Sequence, residues 1–370
     1  MKSGFYKTNL SGELKYKSFY PTPLQEITFD QFNKTTVDLL SKANYEIGRL
    51  NGLSSNIKDI DLFIGSYVRK EALSSSQIEG TRATLEDILD TTTDENTNAD
   101  IEEVINYVKA IKYAIDLSNE LPICSRYIKQ IHEVLMNGVR GNEKHPGEFR
   151  KTQNWIGAIN STIKNAKFIP PNVEDMEECM SFLEKYINED SNIDELIKIA
   201  LIHYQFETIH PFLDGNGRIG RLLIIIYLMS KSKLSYPCLY ISYYLKRNQL
   251  EYYDRMSAVR NRDDYIQWID FFLQGIIEIS QESINCINKL RMLREKNTKL
   301  IKANQIWLLE FLEANPIVNA IHTSDKTKID YSKVNRNILS FVEAGILKVS
   351  NESKKKRSYV YQEYIDILKE

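Results

Sequence analysis

The stretch from residue 210 to residue 221 reads His-Pro-Phe-Leu-Asp-Gly-Asn-Gly-Arg-Ile-Gly-Arg. It holds one imidazole, one carboxylate, a Gly-Asn-Gly turn and two guanidinium groups, and an apolar run over residues 222–229 follows it directly. Glycines let the backbone turn successive N–H groups toward an anion, and a helix that begins there favours negative charge at its N-terminus. The stretch therefore predicts a phosphate-binding loop at the start of a helix.

The side chains of this stretch suit the transfer of a phosphoryl or nucleotidyl group. His210, whose unperturbed pKa is about 6.5, can accept a proton from a hydroxyl. Asp214 offers an oxygen ligand to Mg²⁺, and Arg218 and Arg221 offer forked donors to phosphate oxygens. Each feature alone has an ordinary structural explanation, since loop histidines, glycine turns and spaced arginines are common. Their combination in one short stretch is what indicates phosphate chemistry.

Composition places the chain among ordinary globular proteins. Its 370 residues suffice for two or three domains, and 42% hydrophobic and 26% charged residues give no sign of general disorder. The formal net charge of −2 argues neither for a nucleic-acid-coating protein nor for a strongly acidic one. Four widely spaced cysteines without a CxxC pair suggest neither a zinc cluster nor a disulfide framework. Because no apolar run is long enough to span a membrane, we expect a cytoplasmic protein without membrane contact.

Helical periodicity predicts a bundle around the loop. Apolar residues recur at helical spacing over residues 29–53, 57–73, 101–117, 127–136 and 194–208. In the last of these segments, His203 is expected to be a packed core histidine, and Phe212 is expected to pack behind the loop. Residues 1–25, which include Pro21 and Pro23, are expected to form an extended arm.

A second motif lies at the end of the helix predicted for residues 57–73. Ser75 and Glu79 stand four residues apart, which puts them on one helix face, and Gly80 can end the helix. On these residues alone, a solvated helix end is the simpler interpretation.

Every fixed position of residues 210–221 matches the signature of the Fic family, His-x-Phe-x-Asp/Glu-Gly-Asn-Gly-Arg-x-x-Arg, so the chain resembles that family. The second motif resembles the family's inhibitory motif, Ser/Thr-x-x-x-Glu-Gly/Asn, at the place found in the subclass with an N-terminal inhibitory helix. The resemblance implies a mainly α fold, a Fic-type helical bundle with a short β-hairpin flap and a C-terminal winged helix-turn-helix domain. The implied regions are an N-terminal helical region with the inhibitory helix (1–100), a catalytic core (101–275), a linker helix (276–303) and a winged-helix domain (304–370).

The activity that the resemblance implies is protein adenylyltransfer, in which AMP passes from ATP to a Ser, Thr or Tyr hydroxyl of a protein target. ATP and Mg²⁺ are the implied cofactors. His210 would deprotonate the hydroxyl, Asp214 would bind the metal, and Asn216 with Arg218 would stabilise the transition state. The residues of the loop and helix start that would hold the nucleotide are Gly215, Asn216, Gly217, Arg218, Ile219, Gly220 and Arg221.

The inhibitory motif implies an internal brake. Glu79, supported by Ser75, would pair with Arg221, the guanidinium expected to hold the γ-phosphate of ATP. The nucleotide would then bind poorly or in a non-productive pose. We therefore expect Glu79→Gly to raise self-modification.

Two further regions are interpreted through the resemblance. Short apolar pieces around a polar tip predict a β-hairpin over residues 149–171, where the family has a flap that aligns the target by strand addition. The implied docking residues are Ile163, Lys164, Asn165, Ala166, Lys167 and Phe168. The aromatic segment over residues 240–273 resembles the adenine-side helix, Ser-x-Tyr-Leu-x-x-Asn-Arg-x-x-Tyr-Tyr, which places Tyr244 and Asn248 at the nucleotide. Gln249 stands where the family has Arg.

The last segment reads as helix, loop, helix and two strands around the basic tip Lys354-Lys355-Lys356-Arg357, an order that resembles a winged helix. The tip could contact DNA phosphates, and a protein-interaction or homodimer-arranging module is equally open. Two other functions also stay open. One is a DNA-binding regulator whose Fic fold has lost its chemistry, and the other is an enzyme that removes AMP, with Glu79 positioning water, or moves another phosphate-bearing group.

Overall fold

The computed structural model describes residues 2–29, 31–55, 60–90, 98–138, 144–158, 160–351 and 357–370. Within these residues the chain is mainly helical, as the sequence predicts. Its helices are α1 (Lys34–Ser55), α2 (Ile60–Ile78), α3 (Leu85–Leu89), α4 (Ala99–Leu117), α5 (Ser125–Met136), α6 (Val173–Asn188), α7 (Glu195–Ile209), α8 (Asn216–Ser230), α9 (Ile241–Arg247), α10 (Gln249–Arg262), α11 (Tyr265–Thr298), α12 (Ile306–Ala314), α13 (Ala320–Thr327), α14 (Tyr331–Glu343) and α15 (Gln362–Lys369). Its strands are β1 (Gly4–Asn9), β2 (Tyr16–Pro21), β3 (Ile317–Val318), β4 (Lys348–Asn351) and β5 (Ser358–Val360). None of the helices in these ranges is both long and apolar enough to cross a membrane.

Helices α7 and α8 form the centre of the bundle. Every residue of α7 from Leu196 to Ile209 is buried, and so are residues 218–228 of α8. Helices that are buried all round need neighbours on every side. Helices α1, α6 and α11 pack against α7, while α2, α4 and α5 pack against α8. The connection between α7 and α8, residues 210–215, is therefore held inside the bundle.

Helix α11 joins the bundle to the C-terminal part. It runs unbroken from Tyr265 to Thr298, packs along α1 and α7, and contacts α12 and α15. Its Trp268 is fully buried and donates a hydrogen bond from Nε1 to the carbonyl oxygen of Ala200 in α7 at 2.9 Å. The helix thus continues through residue 275, where the sequence predicts a boundary between core and linker.

The N-terminal residues form a β-hairpin rather than the predicted extended arm. Strands β1 and β2 pair antiparallel, with Gly4 opposite Pro21 and Asn9 opposite Tyr16. The Ser3 N–H donates to Asp263 Oδ1 at 2.6 Å, and the Phe19 N–H donates to the carbonyl oxygen of Ile169 at 2.9 Å. These contacts, which the sequence pattern could not supply, hold the hairpin beside the predicted flap.

The C-terminal part contains a three-stranded sheet in the order β3-β5-β4 and helices α12 to α15. Helix α13 fills the loop predicted between α12 and α14, and β3 and α15 are additions to the predicted elements. The order of α12, β3, α13, α14, β4 and β5 is the order expected for a winged helix, and that assignment stays a prediction. Of the predicted basic tip, Lys354, Lys355 and Lys356 lie outside the described residues.

Candidate active site

The connection between α7 and α8 has an uncommon backbone that the surrounding residues hold in place. His210 ends α7 in the left-handed region with φ of 51°, and Gly215 precedes α8 with φ of 75°. Glycine adopts this conformation freely, whereas for histidine it costs conformational free energy. The carbonyl oxygen of His210 accepts hydrogen bonds from Arg150 Nε at 3.0 Å and from Asn154 Nδ2 at 3.2 Å. These two side chains, which no sequence motif indicated, hold the backbone of His210 in this conformation.

The imidazole of His210 is prepared to accept a proton. Its Nδ1 lies 3.3 Å from the carbonyl oxygen of Glu207, and because a carbonyl oxygen can only accept, Nδ1 must carry the hydrogen. Burial lowers the pKa of His210 to about 4. The ring is therefore neutral at pH 7, with its proton on Nδ1 and the lone pair of Nε2 free.

Packing behind the loop matches the role predicted for Phe212. This ring is fully buried and stacks on His132 with the ring centroids 3.7 Å apart. The N–H of Gly147 donates to His132 Nδ1 at 2.9 Å, so the hydrogen on Nε2 is directed at the carbonyl oxygen of Asp214, 3.0 Å away. His132 thus braces the loop from α5.

Asn216 also holds the loop. Its Oδ1 accepts from the Phe212 N–H at 2.8 Å and its Nδ2 donates to the Phe212 carbonyl oxygen at 2.9 Å. Both amide atoms of this buried side chain are used in this way, so Asn216 positions the loop in this structure. Its role in stabilising the transition state stays a prediction.

Arg218 and Asp214 lie together at the start of α8. Arg218 Nη2 is 3.6 Å from Asp214 Oδ1, which also accepts a hydrogen bond from the Gly215 N–H at 2.6 Å. The Arg218 side chain is 5% exposed, and its Nε and Nη1 have no hydrogen-bond partner among the described residues. Nη1 lies 3.9 Å from Glu103 Oε2, an ion pair too long for a hydrogen bond. Buried guanidinium donors without hydrogen bonds are unusual, and a phosphate would satisfy them.

The residues present fit a magnesium ion that arrives with a nucleotide. The described ranges contain no group of three or more His, Cys, Asp or Glu side chains that could hold a metal by itself. Mg²⁺ usually takes only one or two carboxylates and completes its shell with phosphates and water. Asp214, whose side chain is 46% exposed, offers such a carboxylate beside the donors of Arg218.

Glu79 occupies the guanidinium of Arg221. The Glu79 Oε1 to Arg221 Nη2 distance is 2.6 Å, and Arg221 also donates from Nε to Ser75 Oγ at 2.9 Å and from Nη2 to the Ser75 carbonyl oxygen at 3.0 Å. Burial alone would raise the pKa of Glu79, but the guanidinium outweighs it and lowers that pKa. Gly80, with φ of 102°, turns the chain just after Glu79. The structure thus brings together Ser75, Glu79 and Arg221 as the inhibitory motif predicts.

A cavity of about 480 Å³ opens beside His210 and Arg221. It combines cationic, acidic and aromatic side chains, a mixture that suits a nucleotide with its phosphates and base. Its lining residues are Glu79, Trp155, Ile156, Gly157, Lys167, Phe168, Glu207, His210, Gly217, Arg221, Tyr252, Tyr253, Met256, Ser257 and Arg260.

Tyr244 and Asn248 are not among the lining residues of this cavity. The Tyr244 ring packs on Phe271 with the centroids 5.1 Å apart, and Asn248 Nδ2 donates to the Tyr244 carbonyl oxygen at 3.0 Å. The last two residues of the adenine-side motif, Tyr252 and Tyr253, do line the cavity, together with Met256 and Arg260 of the same helix, α10. The assignment of Tyr244 and Asn248 to the nucleotide stays a prediction.

The predicted flap is a hairpin only at its base. Ile156 and Phe168 exchange both backbone hydrogen bonds, at 2.8 and 3.0 Å, while residues 162–165 form a turn in which the Thr162 N–H donates to Asn165 Oδ1 at 2.6 Å. The Phe168 ring contacts two side chains. Its centroid lies 6.1 Å from the centroid of the Phe19 ring and 4.2 Å from the guanidinium carbon of Arg260. Of the predicted docking residues, Lys164, Asn165 and Lys167 are exposed, Ile163 and Ala166 are half-buried, and Phe168 is buried.

Sequence comparisons match two family models. Residues 37–116 match the Fic/DOC family N-terminal model and residues 122–228 match the Fic/DOC family model, which together cover just over half of the chain. Relatives include proteins called protein adenylyltransferase Fic from Drosophila erecta and Drosophila grimshawi, which are 30% and 32% identical over 164 residues. That alignment covers 44% of this chain and 30% of each relative.

Solved structures share the fold. A Fic family protein from Desulfovibrio desulfuricans has a TM-score of 0.60 at 19% identity, with 89% of this chain and 97% of that chain covered. A Fic domain containing signaling protein from Bacteroides thetaiotaomicron has a TM-score of 0.50 at 20% identity, with 68% of this chain and 96% of that chain covered. With both family models matched along the chain and the signature folded as described, the chain belongs to the Fic/DOC family.

Proposed function

We propose that this chain is an ATP-dependent protein adenylyltransferase that Glu79 holds in check. One observation carries the proposal. The free Nε2 of a neutral His210 faces the same cavity as an arginine, Arg221, whose guanidinium a carboxylate of the same chain already occupies. Such an arrangement supplies a base, an anion site and an inhibitor of that anion site.

The proposed reaction is a nucleotidyl transfer. The oxygen of a target hydroxyl forms a bond to the α-phosphorus of ATP, and the bond from that phosphorus to the bridging oxygen of pyrophosphate breaks. His210 Nε2 takes the proton of the hydroxyl, so the ring becomes an imidazolium stabilised by its hydrogen bond from Nδ1 to the Glu207 carbonyl oxygen. The products are an AMP ester of the target and pyrophosphate.

The start of α8 would bind the phosphates. Its first backbone N–H groups lack acceptors within the helix and carry the positive end of the helix dipole. The buried Arg218 adds Nε and Nη1, which make no hydrogen bond to any described residue, although Nη1 lies 3.9 Å from Glu103 Oε2. Gly217 keeps this face open, because a Cβ there would lie 2.2 Å from Glu79 Oε1 and 2.8 Å from Arg221 Nη1. Mg²⁺ held by Asp214 and the phosphates would neutralise charge that develops on the leaving pyrophosphate.

The flap would align the protein target. The carbonyl oxygen of Ile169 already accepts a hydrogen bond from Phe19 of β2, and the backbone of Phe168 already pairs with that of Ile156. The backbone that would pair with a target strand is therefore that of residues 163–167. The Ser, Thr or Tyr of the target would then lie next to His210. The chain's own hydroxyl groups are candidate targets, which makes self-modification the simplest activity to measure.

Transfer of label tests the proposal. Glu79→Gly chain is incubated with Mg²⁺ and ATP labelled either at the α- or at the γ-phosphorus, and protein-bound label is counted. Adenylyl transfer places α-label and no γ-label on the protein, and His210→Ala in the same background removes it. Label from the γ-position would identify a phosphoryl transferase instead, and no label from either would refute both.

Removal of AMP is a second candidate, because the carboxylate of Glu79 lines the same cavity as His210. In that direction Glu79 would position a water for attack on the AMP ester. Incubating the self-modified Glu79→Gly chain with unmodified native chain decides between the two. Loss of AMP that requires Glu79 in the added chain supports removal, and retention supports transfer alone.

A further inference from the structure

The cavity contains a second carboxylate, Glu207, which neither the signature nor the inhibitory motif includes. Glu207 lies one helical turn before His210 on α7 and is only 8% exposed. Its Oε1 has no hydrogen-bond partner in the part of the chain that the structure describes. Burial raises the pKa of Glu207 to about 7. A buried carboxylate without a partner is costly, so its position calls for an explanation.

The space around Glu207 is provided by the signature itself. A Cβ on Gly220 would lie 2.2 Å from Glu207 Oε1, which is closer than any side chain could tolerate. Glycine at position 220 is therefore the residue that lets this carboxylate lie against α8, next to Arg221.

Glu207, Glu79 and Arg221 line the same cavity. The positive charge of Arg221 lowers the pKa of Glu207, the negative charge of Glu79 raises it, and the positive charge of Arg260 lowers it. In the structure Arg221 donates its hydrogen bond to Glu79, while Glu207 Oε1 has no hydrogen-bond partner among the described residues. The two carboxylates thus compete for the guanidinium of Arg221, and in this structure the guanidinium pairs with Glu79.

Release of the brake would leave Arg221 without acceptors. Its hydrogen bonds go to Ser75 and Glu79, both at the end of α2, so withdrawal of that end removes them together. Arg221 is 1% exposed, and a buried guanidinium without acceptors is strongly disfavoured. Glu207 belongs to α7 and stays in place when α2 moves.

We propose that Glu207 is a positioning residue that takes over the guanidinium of Arg221 when Glu79 withdraws, and that Gly220 provides the room for this exchange. The inference rests on the proposed function, since it explains how Arg221 keeps its orientation toward the phosphates in the active chain. In this role Glu207 acts through Arg221, by holding its guanidinium.

A stability cycle tests the exchange without relying on activity. Melting temperatures are measured without nucleotide for the native chain, Glu79→Gly, Glu207→Gln and the double variant. In the native chain, Glu207→Gln should change the melting temperature by less than about 1 °C, because Glu207 Oε1 makes no hydrogen bond there with any described residue. In the Glu79→Gly chain the same substitution should lower it by about 3 °C, because a charge-assisted hydrogen bond to Arg221 is lost.

A control and a kinetic reading complete the test. Glu46 is a buried carboxylate on α1 that pairs with Arg49, so Glu46→Gln should shift the melting temperature equally in both backgrounds. In the Glu79→Gly chain, Glu207→Gln and Gly220→Ala should each raise KM for ATP about tenfold and leave kcat within about twofold.

Equal shifts of Glu207→Gln in the two backgrounds would overturn the exchange, and so would an unchanged KM. If no variant transfers AMP, the proposed function fails, while the melting temperatures still decide whether Glu207 pairs with Arg221.

Discussion

Replacing Glu79 by glycine should raise kcat/KM for ATP-dependent self-modification about tenfold. The structure gives the magnitude. Glu79 Oε1 and Arg221 Nη2 are 2.6 Å apart, and a hydrogen bond between charged groups is worth about 1.5–3 kcal/mol. The Glu79 side chain is 38% exposed, so solvent screens part of this interaction, and about 1.5 kcal/mol is a fair value. Since about 1.4 kcal/mol corresponds to a factor of ten, the active population of Arg221 rises by that factor.

Initial rates of protein labelling from α-labelled ATP, at ATP concentrations well below KM, measure this effect. Glu79→Gln serves as a second variant, because it removes the charge and keeps the size of the side chain, and it should recover most of the increase. Glu363→Ala removes an ion pair with Lys296 in the C-terminal part and serves as a control that should leave the rate unchanged. A Glu79→Gly rate within about twofold of the native rate would refute the assignment of Glu79 as the brake.

Three further predictions follow from the site. First, because burial lowers the pKa of His210 to about 4, kcat/KM of the Glu79→Gly chain should stay constant from pH 8 to pH 6, and a loss of activity centred near pH 6.5 would show an ordinary histidine. Second, Asn216→Ala should lower the free energy of unfolding by about 1–3 kcal/mol in chemical denaturation as well as the rate, whereas a role limited to the transition state would leave stability unchanged. Third, Tyr253→Ala should raise KM for ATP about tenfold through lost stacking, while Tyr244→Phe should not; the reverse pattern would place Tyr244 rather than Tyr253 at the nucleotide.

The parts of the site that could be predicted from the sequence are those that lie close together along the chain. The local geometry of residues 210–221 could be predicted, because the turn Gly215-Asn216-Gly217 and the following helix fix where the backbone N–H groups point. The pairing of Glu79 with Arg221 could be predicted only through the family resemblance, since the two residues are 142 positions apart in the sequence.

Long-range packing decides the rest. The motif match predicts Tyr244 at the nucleotide, and in the structure its ring packs on Phe271 and lies against Gly275, where a Cβ would be 2.6 Å away. Part of the cavity wall belongs to α10, which packs against α9 and α11, and no local pattern predicts that packing. Likewise, the contact of Phe19 with Ile169 turns the N-terminal residues into a hairpin beside the flap, which Pro21 and Pro23 gave no reason to expect.

Intact mass after incubation with ATP and Mg²⁺ tests the central claim most directly. The native chain, Glu79→Gly, and Glu79→Gly combined with His210→Ala are compared under identical conditions. The account predicts a gain of about 329 Da, the mass of one added AMP group, in the Glu79→Gly chain, the same gain about tenfold more slowly in the native chain, and none in the chain that also lacks His210. A gain that persists without His210, or no gain in any of the three chains, would contradict it.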